Sequence, residues 1–220
     1  MRRPPAVGAL VDLGRGLRRR SGTARAQLRP VLAGRGPHPQ PGTEGPADGP
    51  VRLVAVCRDE RAVLHNLMQL YRHDLSEFRD YELSERGTYA YDYLDLYLRE
   101  PGREAWFVRV EERLAGFVLT RIRDDGVWQV SELFVARPYR RQGVGRVVLR
   151  LAFQSHSGRW ACFVDDLNET SKRMCTDVAT AATDGDYREQ PGATSGAGFV
   201  GTGYELTVPE PARGPSEASS

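Results

Sequence analysis

Lysine is nearly missing from this chain. Of its 31 basic residues, Lys172 alone is not arginine, which reads as biased codon usage and carries no functional signal. Cysteine is scarce too: Cys57, Cys162 and Cys175 are odd in number, far apart and form no CxxC, and the four histidines are scattered. That spacing excludes a disulfide framework and offers no zinc site, so we expect a reduced cytoplasmic setting and no metal. No stretch approaches the ~20 apolar residues of a membrane span. The arginines at 15 and 18–20 break up the early apolar residues, so we expect no export signal and no membrane partner.

The first fifty residues contain no aromatic side chain, yet hold eight of the fourteen prolines and nine of the twenty-three glycines. Nine arginines against three acids give them a net charge of +6, and since the chain nets +2, residues 51–220 net −4. Such a segment has too little apolar surface to offset the entropy of ordering it. We expect residues 1–50 to be a disordered tail, whether or not they belong to the functional protein. A basic arm for nucleic acid is the other reading of the charge, but nothing in it can stack on bases.

The remainder patterns as one domain, residues 51–209, with a frayed tail at 210–220. A strand covers Val51 to Cys57. Asp59 is placed to cap a helix bearing Leu64, Leu67, Met68, Tyr71, Leu75 and Phe78 at helical spacing. Tyr89 to Arg99 reads as a second helix, stopped by Pro101-Gly102. Strands follow at 105–110, 114–123 and 127–136, joined by tight polar turns. After a helix from residue 144 comes a strand at 160–164, and Asn168 opens a fourth helix. Strands near 187–190 and 199–208 close the domain around a loop at 191–198.

Chemistry concentrates where the strand ending at Val135 meets the helix carrying Val144, Val147, Val148, Leu151 and Ala152. Between them lies Arg140-Arg141-Gln142-Gly143-Val144-Gly145-Arg146. A glycine-punctuated turn into a helix presents unpaired backbone N–H groups at the positive end of the helix dipole, a ready anion site. It is not a Walker loop, because Arg146-Val147 stands where Lys-Ser/Thr is needed. Nor is it the dinucleotide fingerprint, because Val148 replaces the third glycine.

This R-x-x-G-x-G turn resembles the one that grips the pyrophosphate of coenzyme A in the GNAT acyltransferase superfamily. Residues 67–78, 93–97, 114–117 and 158–160 are similar to a bacterial branch of predicted acetyltransferases, as is Asn168 with Ser171 three positions on. The resemblance covers about 155 residues and implies an α/β (α+β) fold. Its sheet is mixed, mostly antiparallel and six- to seven-stranded, with about four flanking helices. It also implies acetyl-CoA as co-substrate, with Leu133, Phe134 and Val135 beside the pantetheine arm. Arg140 and the amides of Arg141 to Arg146 would hold the pyrophosphate, and Asn168 would contact the cofactor or simply cap its helix. The acceptor would be an amine, small-molecule or peptide, on a monomer or homodimer. The alternative is a non-catalytic acyl-CoA-binding sensor or interaction module.

A protonated amine must lose a proton before it attacks, and Glu132 is the candidate base. Strict alternation places it with Trp128, Val130 and Phe134 on an apolar face that would raise its pKa. A glutamate neutralised by arginine, or turned to solvent by a bulge, is the competing reading. Tyr89, Tyr91, Tyr93 and Tyr97 with Asp92 and Asp95 either wall a pocket for a cationic amine or form half core, half solvated face. Many superfamily members carry a tyrosine about seven residues after the asparagine to protonate the leaving thiolate. Cys175 occupies that register here, leaving Cys175, Tyr187 or solvent as donor.

Overall fold

The structure, a computed structural model, describes residues 44–195 and 198–209. Most of the expected tail at 1–50 and all of the segment at 210–220 lie outside those residues.

Segments rich in valine, phenylalanine, tyrosine and tryptophan fit a pleated, half-buried surface and form most of the strands. These are β1 (Glu44–Asp48), β2 (Val51–Ala55), β3 (Arg103–Val110), β4 (Arg113–Ile122), β5 (Trp128–Val135), β6 (Gly158–Asp165), β7 (Tyr187–Thr194) and β8 (Val200–Val208). They make one sheet in the order β1-β2-β3-β4-β5-β6-β8-β7. Every neighbouring pair is antiparallel except β5 and β6. Three α-helices cover the sheet: α1 (Arg61–Leu75), α2 (Val144–Gln154) and α3 (Glu169–Thr183).

The helices divide between the two faces. On α1, Leu64, Leu67, Met68, Tyr71 and Leu75 pack against Phe107, Phe117, Leu119 and Phe134. On the other face Val144, Val148, Leu151 and Ala152 of α2, with Cys175 and Val178 of α3, cover Val118, Val130, Trp160 and Cys162. Each fully buried aliphatic side chain contributes roughly 1.5–3 kcal/mol, so both layers are held chiefly by these apolar stripes.

Several expectations are corrected. The sheet is the expected mixed, mostly antiparallel one; among the described residues it carries one further strand, β1, which lies inside the stretch assigned by composition to the tail and pairs with β2. Among the described residues three α-helices form, against about four expected. The tyrosine-rich segment at 89–99 forms only a 3-10 turn at Leu94–Leu98, since aromatic and aspartate residues are weak helix formers and Pro101-Gly102 follows closely. Asp59 is not the cap of α1. It sits in a 3-10 turn, Arg58–Glu60, where the Glu60 carboxylate accepts from the Cys57 N–H at 3.0 Å. Helix α1 stops before Phe78, and the Ser76 hydroxyl just past its end donates to the His73 carbonyl at 2.6 Å. Strand β7 runs through Pro191 to Thr194, into the expected loop. Proline is tolerated there because β7 is an edge strand.

Two irregularities position the site. Strand β5 bulges at Ser131: Val130 faces Thr120 and Glu132 faces the adjacent Leu119, leaving Ser131 unmatched. The parallel pairing of β5 with β6 covers only Trp128–Trp160, Gln129–Ala161 and Val130–Cys162, although both strands continue. Beyond that point they diverge, so the edge of residues 131–135 that faces β6 carries none of its ladder bonds.

Candidate active site

The opening between the diverging strands is the mouth of a cleft of about 910 Å³. Leu133, Phe134 and Val135 line one side and Leu167, Asn168 and Met174 the other. The glycine turn and the first turn of α2 close one end, with Gly143, Gly145, Arg140, Arg141 and Arg146 among the lining residues. Arg141 and Gly143 are left-handed, at φ 62° and 81°, which swings the chain out of a short 3-10 turn, Arg137–Tyr139, and into α2. Gly143 is the N-cap of α2, a conformation that a β-branched residue adopts only with strain. At Gly145 an added Cβ would stand 2.9 Å from Met174 Sδ, so this glycine lets α2 and α3 approach at the edge of the cleft.

The expected cofactor residues divide. Nine of the eleven line the cleft; Gln142 and Val144 do not. The Gln142 amide donates to the Pro138 carbonyl at 2.7 Å, and Val144 is buried in the core. Arg140 is engaged locally: its Nε donates to the Val135 carbonyl at 2.7 Å, and its Nη2 to Asp74 of α1. Arg137 bonds the same carboxylate at 2.8 Å. Burial pushes Asp74 up, but the hydrogen bonds from Arg140 and Arg137 outweigh it and hold the carboxyl below its usual value. This clamp ties the end of β5 to α1 across the cleft. Asn168 caps α3, accepting from the Ser171 N–H at 3.0 Å, and also lines the cleft, so its two expected roles coincide in space.

Glu132 is fully buried, at 0% exposure, but not on the expected face. The bulge at Ser131 reverses the alternation, so Trp128 and Val130 face α2 while Glu132 and Phe134 face α1. There Tyr71 donates to Glu132 Oε2 at 2.6 Å and Tyr91 to Oε1 at 3.2 Å. Burial raises the Glu132 carboxyl to about 7, against the opposing influence of Tyr71, the Arg72 guanidinium and Tyr91. Arg72 is itself buried, 3.8 Å over the Tyr81 ring. Sequence reading missed these partners. A phenol within an apolar helical stripe was the available signal, because a buried Tyr hydroxyl needs an acceptor.

The other candidates fall away from the cleft. Of the tyrosine stripe only Tyr91 reaches Glu132; Tyr97 is core, Tyr93 is exposed, and Asp95 pairs with Arg61 and Arg99. Cys175 points into the core at 2% exposure, 3.8 Å from the Cys162 sulfur. That neighbour and burial together push its thiol well above the usual value. Tyr187 lines a separate depression beside Arg188 and Glu205.

The sequence profile of the Acetyltransferase (GNAT) family matches residues 64–176, just over half of the chain. This protein belongs to the GNAT acetyltransferase family. No curated protein sequence matches the chain. Among solved structures, its GNAT fold is similar to RimL, a ribosomal L7/L12 alpha-N-protein acetyltransferase in complex with coenzyme A. They share 11% identity, with a TM-score of 0.53 over 76% of this chain and 98% of that one. An acetyl transferase from Salmonella typhimurium that modifies the N-terminal serine of the same ribosomal protein gives 13%, 0.52, 76% and 99%. A chimeric spermidine N-acetyltransferase from Vibrio cholerae gives 12%, 0.50, 72% and 96%. In the GNAT frame the sheet's open seam and the turn before α2 face the same cleft. Among the described residues no cluster of His, Cys, Asp or Glu is arranged to hold a metal, and no helix is long and apolar enough to cross a membrane.

Proposed function

We propose that this GNAT protein is an N-acetyltransferase that moves the acetyl group of acetyl-CoA onto a primary amine by direct transfer. The observation that carries this reading is a buried carboxylate, raised to about 7, bonded to a phenol that lines the cleft. A base poised near neutral pH is matched to taking a proton from an amine whose own reference value is near ~10.4.

Acetyl-CoA fits the cleft on three counts. The unpaired edge of residues 131–135 offers backbone groups to the amides of the pantetheine arm, as an added strand would. The first turn of α2 offers N–H groups to the pyrophosphate. Arg141 and Arg173 line the cleft, as do Arg137 and Arg140, which share the single carboxylate of Asp74, so the lining is rich in positive charge. The acceptor is a primary amine, small-molecule or peptide, as spermidine and protein N-termini are for the structural neighbours. The free cysteines Cys57, Cys162 and Cys175 suit a reducing cytoplasm.

The second reading, a non-catalytic acyl-CoA-binding module, is favoured by one observation: the position on α3 expected to hold a proton donor carries a cysteine turned into the core. One experiment separates the two. Acetyl-CoA is titrated calorimetrically into the full chain, and release of free CoA is followed with spermidine, benzylamine and a short peptide bearing a free N-terminal serine. We expect binding and amine-dependent release. Gly143→Val and Gly145→Val should each weaken binding tenfold or more, about 1.4 kcal/mol. Binding without turnover selects the second reading, and no binding overturns both.

A further inference from the structure

Glu132 has no direct route to the cleft. Its two oxygens are occupied by phenols, and it is not among the residues lining the cleft. It is fully buried, and the ring of its partner Tyr71 packs on those of Phe117 and Phe134. Tyr71 meets Phe117 edge-on at 5.7 Å and Phe134 at 6.0 Å. Arg72 lies against Tyr81. Of the two phenols that bond Glu132, only Tyr71 lines the cleft, and among the described lining residues it is the only tyrosine.

We infer that Tyr71 is the relay through which the proton of the attacking amine reaches Glu132. The inference rests on the acetyltransferase reading and deepens it. The amine enters the cleft in its neutral form; as its nitrogen bonds to the thioester carbonyl carbon, its N–H proton passes to the Tyr71 oxygen while the Tyr71 proton passes to Glu132 Oε2. The C–S bond then breaks, the thiolate leaves with the electron pair, and it takes a proton from solvent in the open cleft. After the product departs, Glu132 returns its proton through Tyr71 to water. The phenol is neutral before and after each step. That suits its position, because burial and the neighbouring Glu132 hold Tyr71 well above the usual tyrosine value and disfavour a lasting phenolate.

The test compares Tyr71→Phe, Glu132→Gln, the double variant and Tyr91→Phe in the full chain, with the three amines above. Tyr71→Phe and Glu132→Gln should each lower kcat about a hundredfold, with acetyl-CoA affinity within about twofold. The double variant should be no more than about threefold worse than either, because both interrupt one path. Tyr91→Phe removes the other hydrogen bond to the same carboxylate without touching the cleft, so it should move the low-pH limb upward while costing kcat at least tenfold less than Tyr71→Phe. Tyr71→Phe retaining a third of kcat, a double variant at the product of the two losses, or Tyr91→Phe as damaging as Tyr71→Phe would each overturn the relay. Those outcomes leave the acetyltransferase reading standing, whereas a wild type inert toward all three amines overturns that reading and the relay with it.

Discussion

Among the described residues two glutamates are buried in this sheet, one on each face, and their surroundings differ in kind. Glu104 of β3, on the α2 face, accepts from Trp106 Nε1 at 3.2 Å and Thr120 Oγ1 at 3.1 Å. His156 Nε2 lies 2.9 Å away, its ring stacked on Trp128 at 3.8 Å. Indole, hydroxyl and imidazole enclose that carboxylate, and none of these residues lines the cleft. Glu132, on the α1 face, is met by two phenols, with the guanidinium of Arg72 nearby. Burial alone therefore does not mark a candidate base. Glu104 is bonded to groups that knot β3, β4 and the end of α2 together, whereas Glu132 is bonded to a tyrosine that lines the cleft.

The sharpest way to break this contrast is to neutralise each carboxylate in turn. Glu132→Gln should lower turnover about a hundredfold, within the usual contribution of a general base, with acetyl-CoA affinity nearly intact. Glu104→Gln should leave turnover within about threefold. CoA release and calorimetry on the same preparations read both outcomes.

Stability should rank the pair the other way. Glu104→Leu strips the acceptor from three donors at once, costing about 4 kcal/mol and roughly 10 °C of melting temperature. Thermal melting checks this, and a drop of only a degree or two would make the Glu104 cluster incidental.

The pH dependence of stability sharpens the comparison further. The folded-state carboxyl of Glu132 stands at about 7 against an ordinary value of 4.5, so the folded protein binds this proton more tightly than the unfolded chain does. Below pH ~4.5 both states are protonated, and the favourable contribution of this tighter binding is fully present. It fades as pH rises through 7, a change on the order of 3 kcal/mol. Glu132→Gln carries no such proton. Its stability relative to wild type should therefore rise between pH 4.5 and 7 and level off above, as denaturant melts at several pH values would show.

The smallest effect is expected at Cys175. With its sulfur in the core beside Cys162, Cys175→Ala should keep at least a third of wild-type turnover. A hundredfold loss in a folded variant would restore a proton-transfer role to this thiol.

How much of this was legible in the sequence follows from distance along the chain. The glycine turn, the stripe of α2 and the Asn168 cap are local patterns, and each is found where the spacing put it. The seam between β5 and β6 is a matter of which strands pair and for how long, so no local pattern announces it. Alternation along β5 predicts the right buried carboxylate on the wrong face, because the unmatched Ser131 reverses the count. Tyr71 lies 61 residues from Glu132, and its spacing within α1 describes an ordinary core position. The tyrosines from 89 to 97 mislead for the opposite reason, since a regular helix was assumed where only a 3-10 turn forms.

The central claim is that the Glu132 carboxylate accepts the amine's proton. Its most direct test is the pH dependence of kcat/KM for amine-dependent CoA release, in wild type and Glu132→Gln. The account predicts a low-pH limb in the wild type with an inflection near 7, rising as Glu132 deprotonates, and no such limb in the variant's residual rate. An identical limb in both proteins would contradict it.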